Sequence, residues 1–258
     1  CGSGSSGREV GKHSRGGSGT VFFSGCNGKC VFCQNHKISR GLSGGKEVSE
    51  EKLFEICDEL ISQGAHNINF VSPTPYSEML RDFLIKYKRQ IKVPVIWNSN
   101  GYEKSSTIRD LNGLVDVYLP DLKYFSDELA VKYSSMPRYF EFASAAISEM
   151  VKQVGWPEIG DDGFIKNGVV IRHLVLPGHI SDSKKILDWI SEKFGNKAYV
   201  ALMAQYYPTD KACEYPEINR TLSQSEYDEI SSYFVGLGFD DGLLQELTAA
   251  DSMYTPEF

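Results

Sequence analysis

From Thr20 onward, short runs that are apolar on both faces alternate with stretches whose apolar residues recur at helical spacing. The runs Thr20–Ser24, Asn67–Ser72, Val93–Ser99, Val115–Asp121, Gly168–Leu176 and Ala198–Ala204 have the pattern of strands buried in a parallel sheet. Between them, Ser49–Gln63 places Leu53, Ile56, Cys57, Leu60 and Ile61 on one helical face, and Gly64 follows as a stop. Tyr76–Arg89, Ser105–Leu114, Asp127–Ser134, Arg138–Val154 and Ser181–Phe194 continue the helical pattern. A last helix, about 223–238, opens on the capping box Ser223-x-x-Glu226. Strict β/α alternation predicts an α/β fold, a single-domain partial (β/α)6 barrel with parallel strands over residues 20–238. Residues 1–19, rich in Gly and Ser, are expected to be a flexible lead-in or a truncated N-terminal segment, and 239–258 a C-terminal tail.

Composition changes this picture little. A chain of 258 residues with 41% hydrophobic residues can build one large core. A net charge of −7 argues against nucleic acid or an anionic membrane as partner. The longest apolar runs, such as Leu174-Val175-Leu176, fall far short of a membrane span.

Cysteine usage changes it more. Of the six cysteines, Cys26, Cys30 and Cys33 crowd into one short segment. A secreted disulfide scaffold would spread its cysteines, so a reducing cytoplasm and a metal site are expected. Cys57 reads as core, Cys213 as a loop thiol, and Cys1 carries no weight.

In a β/α barrel the chemistry lies at the C-terminal strand ends. The loop after strand 1 runs Gly25-Cys26-Asn27-Gly28-Lys29-Cys30-Val31-Phe32-Cys33, where Gly25 and Gly28 permit a turning backbone. Three thiolates at C-x3-C-x2-C spacing suit an iron–sulfur cluster, with one iron left open. With His36, the same residues also form a Cys3His set that zinc accepts. At the fourth strand end, alternation puts Asp121 and Lys123 on one face. Arg172, inside an apolar strand, is costly unless paired and suits a carboxylate; His173 points the other way.

Cys26-x3-Cys30-x-Phe32-Cys33, with its aromatic before the last cysteine, resembles the signature of the radical S-adenosylmethionine (SAM) superfamily. The wider run from Gly19 to Asn35, with Asn67–Tyr76, Asn98–Tyr102, Asp116–Tyr124, Arg172–Gly178 and Met203–Pro208, resembles homologues of pyruvate formate-lyase activating enzyme. The resemblance implies a [4Fe–4S] cluster on the three cysteines and SAM on the open iron. It also implies reductive cleavage to a 5′-deoxyadenosyl radical that abstracts hydrogen from a substrate.

The resemblance further implies roles at the other strand ends. Ser72-Pro73-Thr74 stands where relatives carry Gly-Gly-Glu, and its backbone would meet the methionine amine; Thr74 alternatively caps the next helix. Asn98 and Ser99 would offer oxygens to the ribose or a monovalent cation, with Asn98 standing where related activators carry an aspartate. Asp121, Lys123 and Arg172 would hold the methionine moiety, and Phe32 joins the cofactor wall. Gln205 or Tyr206 would replace a histidine that meets adenosine. The implied partners are a reductant such as flavodoxin or ferredoxin and a protein or peptide substrate. Activation of a glycyl radical enzyme leads, modification of a peptide or small molecule is the alternative, and a zinc or electron-transfer protein is the non-enzymatic reading.

Overall fold

The computed structural model describes residues 17–41, 45–239 and 241–247. Most of the expected lead-in and the segment Asp251–Phe258 lie outside the described residues. Strands β1 (Ser18–Phe22), β2 (Asn67–Val71), β3 (Val95–Ser99) and β4 (Val117–Pro120) pair in parallel, in chain order. Between them lie a single helical turn, α1 (His36–Ser39), then α2 (Glu50–Ser62), α3 (Ser77–Tyr87) and α4 (Ser105–Asp110). The α2 N-cap Ser49 accepts the Lys52 N–H at 3.2 Å, and Glu50 and Glu51 favour the positive end of the helix.

Helices α5 (Asp127–Ser134) and α6 (Tyr139–Val154) lead to the second half. There the expected strand Gly168–Leu176 proves to be two. A short hairpin of β5 (Glu158–Ile159) and β6 (Ile165–Val169) brings β6 alongside β4, and β7 (Ile171–Leu174) then pairs with β8 (Val200–Met203). The break falls at Val170: its N–H bonds Tyr118 O, whereas the Ile171 N–H bonds Tyr199 O, so the chain changes partner in one residue. Contact between Asp121 and Arg172 and the bond from Leu122 N to Arg172 O (2.8 Å) join the two sheets into one barrel wall. Helix α7 (Ile180–Phe194) precedes β8. Helix α8 (Gln224–Gly236) follows it, opened by the expected Ser223/Glu226 capping box.

The barrel also extends further than the tail boundary suggested. Residues Gly242–Leu244 form β9, parallel to β8. A three-residue strand gives no readable periodicity, which is why it reads as tail. The core lies between the sheet and the helices, where Trp97, Tyr118, Phe70 and Phe83 are fully buried with the inner faces of α6 and α7. Cys57 belongs to it, whereas Cys213 is exposed in a short turn. Each buried aliphatic side chain contributes about 1.5–3 kcal/mol, so the frame at the strand ends is stiff. No helix among the described residues is long and apolar enough to cross a membrane.

Candidate active site

The loop between β1 and α1 is held from three sides by its own backbone. Gly25 N bonds Ile38 O at 2.8 Å. Lys29 N and Val31 N bond Ser134 O and Tyr133 O, both at 2.8 Å, so the loop supplies donors to carbonyls that α5 leaves open at its end. From the β8 side, Lys211 N bonds Val31 O at 2.8 Å, and Arg40 bridges Cys30 O and Asp210. Gly28 packs against Met136: an added Cβ would lie 1.8 Å from the Met136 methyl, and that side chain would have to move aside.

This clamp turns Cys26, Cys30 and Cys33 to the wall of one cavity of about 390 Å³, a size that suits a small ligand. Each thiol has a local hydrogen-bond partner. Asn100 Nδ2 stands 3.4 Å from Cys26 Sγ, Ser134 Oγ donates to Cys30 Sγ at 3.0 Å, and Ser39 Oγ lies 3.3 Å from Cys33 Sγ. Burial pushes all three thiols above their ordinary value, against the pull of these bonds and of Lys123. Thiols so placed release their protons readily only to a metal.

The donor set fits a cluster better than one ion. A lone zinc gathers its ligands about one point, with sulfurs about 2.3 Å away, and in a structural site takes a fourth protein ligand. A cluster bonds each sulfur to a different iron and spaces them more widely. The His36 ring bonds the Cys33 carbonyl at 3.1 Å instead of joining a ligand set.

Facing the thiols from later strands is a charged group. The Asp121 carboxylate accepts from Arg172 at 2.7 Å and from Lys123 Nζ at 2.6 Å. Despite burial, the two cations hold its carboxyl below the ordinary range, and Asp121 in turn raises Lys123. One carboxylate between two cations leaves one positive charge over, directed at the cavity. Arg172 also donates to Asn98 Oδ1 at 2.7 Å, while its Nε is buried without a partner. Asn69 lines the same cavity, and its Oδ1 is likewise buried without a partner. A surplus cation on a wall that also carries Asn69 and Asn98 suits a polar ligand with an anionic group.

The remaining expected residues divide. Phe32 lines the cavity, with its ring edge-on to Tyr206 at 5.5 Å. Ser72 lines it at a φ of +57°, and Ser72 N bonds Asn98 O at 3.0 Å. Gln205 lines it too, held by Gln245 Nε2 at 2.9 Å. Thr74 does not line the cavity: its hydroxyl donates to Glu103 Oε1 at 3.1 Å. Nor does it cap α3, whose N-cap position is Tyr76 with no side-chain bond. Ser99 lines the cavity, but its hydroxyl is turned to Glu103 Oε2 at 2.6 Å. Both orientations have one cause. The buried Glu103 carboxylate, which also accepts Trp97 Nε1 at 2.9 Å, takes the nearest hydroxyls. Burial raises Glu103 above the ordinary range despite the bonds from Ser99, Trp97 and Thr74.

Sequence reasoning missed Glu103 and Gln245. His173 is a core residue, as its strand face implied: its ring bonds Leu122 O at 2.7 Å and Ser183 Oγ at 2.9 Å, and burial lowers it to about 4.

Comparison with known proteins agrees with this geometry. The chain is 36% identical over 220 residues to an uncharacterised protein of Methanocaldococcus jannaschii, an overlap of 82% of this chain and 60% of that protein. The fold is similar to that of Streptococcus suis SuiB bound to its precursor peptide SuiA, with TM-score 0.59, 13% identity, and 90% of this chain against 50% of SuiB. It is similar to methylornithine synthase, with TM-score 0.55, 14% identity, and 87% against 70%. It is also similar to a domain of pyruvate-formate lyase-activating enzyme from Bacteroides vulgatus, with TM-score 0.50, 13% identity, and 70% against 98%. The chain thus spans about 60% of its sequence relative and half of SuiB. The radical SAM superfamily model matches residues 20–190, from β1 into α7, and takes in the whole thiol loop and the charged strand ends. The chain belongs to the radical SAM superfamily, whose enzymes use a [4Fe–4S] cluster, S-adenosylmethionine and an electron donor.

Proposed function

We propose that Cys26, Cys30 and Cys33 hold three irons of the [4Fe–4S] cluster and that SAM occupies the cavity beside them. The observation that carries this is that the three thiols and the Asp121–Lys123–Arg172 group line the same cavity. When bound, cluster and SAM supply a 5′-deoxyadenosyl radical for hydrogen abstraction. The chain's own residues bind and orient. The surplus cation of the Lys123–Arg172 pair takes the methionine carboxylate, and Asp121 takes the amine. Asn98 and the Ser72 backbone flank the same moiety, and Gln205, held by Gln245, faces the adenosine. Phe32 and Tyr206 form an apolar wall that keeps water from the reacting carbon. The reductant is a flavodoxin- or ferredoxin-type donor in the cytoplasm.

The substrate class we propose is a protein, with hydrogen abstraction from a glycine of a partner enzyme, as the sequence resemblance implies. Phe22 and Tyr207, each 39% exposed, stand at the cavity and suit an entering polypeptide loop. Modification of a small peptide is the second reading, favoured by the fold shared with SuiB in its peptide complex.

The test is the chain reconstituted with iron and sulfide, reduced, and given SAM. The expected product is 5′-deoxyadenosine, abolished in Cys26→Ala, Cys30→Ala and Cys33→Ala. Bound zinc with no 5′-deoxyadenosine would overturn the proposal. Deuterium passing into 5′-deoxyadenosine from glycine-labelled partner protein supports the activating role; deuterium from a labelled precursor peptide supports the alternative.

A further inference from the structure

We infer that Ser134 and Tyr124 form a hydrogen-bond relay that raises the reduction potential of the cluster through Cys30. This rests on the reading of the three cysteines as cluster ligands. Ser134, the last residue of α5, is fully buried, and its Oγ lies 3.0 Å from Cys30 Sγ and 2.7 Å from the Tyr124 hydroxyl. A metal-bound thiolate carries no proton, so Ser134 must donate to it. The Ser134 lone pair then accepts from Tyr124, and the direction of the whole chain is fixed: Tyr124 to Ser134 to Cys30. Each bond in such a chain polarises the next.

The other two sulfurs lack this arrangement. Ser39 is half-buried and 3.3 Å from Cys33 Sγ, with no second hydroxyl bonded to it among the described contacts. Cys26 has longer partners, the Asn100 amide at 3.4 Å and Gly28 N at 3.5 Å. Reduction places more negative charge on the cluster sulfurs, so a donor aimed at one of them from a dry site stabilises the reduced state. The negative end of the α5 dipole points at the same loop and would oppose this. Lys29 N and Val31 N cover two of the carbonyls there, Ser134 O and Tyr133 O, and reduce that opposition.

The test is an EPR-monitored redox titration of the reconstituted chain. At a fixed solution potential, Ser134→Ala is expected to lower the ratio of reduced to oxidised cluster about tenfold, or ~59 mV for one electron. Tyr124→Phe keeps the ring and loses the relay's first donor, and it is expected to lower the ratio about threefold. In the Ser134→Ala background, Tyr124→Phe is expected to add nothing, because the link to the sulfur is already cut. Ser39→Ala is expected to shift the ratio less than Ser134→Ala. An unmoved potential in Ser134→Ala and Tyr124→Phe at full cluster content overturns the relay and leaves the cysteine assignment standing. Additive shifts in the double variant also overturn it. If Ser134→Ala cannot hold a cluster, Tyr124→Phe decides alone. A parent chain that forms no cluster overturns both readings.

Discussion

Two carboxylates, Glu103 buried and Asp121 largely so, stand at neighbouring strand ends and are held in opposite ways. Asp121, after β4, lies between Lys123 and Arg172 and stays ionised below the ordinary range. Glu103, four residues past the end of β3, has the neutral donors Trp97, Ser99 and Thr74, and burial raises it. Asp121 is balanced by charge and belongs to the cavity. Glu103 is balanced by hydrogen bonds alone and ties the Ser72–Thr74 turn to the end of β3 behind it. Burial therefore does not tell a cavity-lining carboxylate from a bracing one; the identity of the donors does.

Asp121→Asn should have the largest effect on stability. It leaves two cations facing each other in a largely buried site, a loss of about 3–5 kcal/mol, to be read from denaturant unfolding of the chain. A variant as stable as its parent would mean that Arg172 and Lys123 find other partners and that the contrast is empty. Glu103→Ala ranks next: three donors lose their acceptor, at a cost of about 1–3 kcal/mol. Glu103→Gln, which keeps an acceptor and removes the buried charge, should change stability at neutral pH by less than about 1 kcal/mol; a loss as large as that of the alanine variant would show that the charge itself is needed.

The smallest effect is the sharpest in sign. Asp121, lowered, contributes stability that is present above its unfolded value near about pH 4 and lost as the pH falls through its folded value. Glu103, raised, behaves in reverse: its contribution is intact below the unfolded value of about 4.3 and is lost as the pH rises through the folded one. Melting temperatures across pH 3–8 should therefore show a flatter acid limb in Asp121→Asn and a smaller loss above about pH 4 in Glu103→Gln. Parallel curves for the two variants would sink the distinction.

Much of this site was legible before any coordinates. The cysteine spacing located the thiol wall, and strand alternation placed Asp121 and Lys123 on one face, where they meet at 2.6 Å. Glu103 was not legible, because a glutamate after Asn100-Gly101-Tyr102 looks like part of a polar turn, and only the packing of Trp97 beside it makes it buried. That hidden acceptor also sets where the Thr74 and Ser99 hydroxyls point. The broken strand was concealed by the unbroken apolar run Val169-Val170-Ile171; Gly168, at φ +122° with the Pro157 backbone against it, was the visible sign. Gln245 lies beyond the last helix, next to a strand too short to leave a pattern.

The clamp on the thiol loop has a consequence in time. Lys29 N and Val31 N are bonded to Ser134 O and Tyr133 O, so lifting the loop on that side uncovers both terminal carbonyls of α5 at once. Its opening must break both bonds together and is rarer than the fluctuation of an untethered loop. The amides of Lys29 and Val31 should exchange with solvent slowly and at one common rate. The clamp thus sets how long the three thiols keep their places, whereas small molecules reach Cys30 from the cavity without opening it.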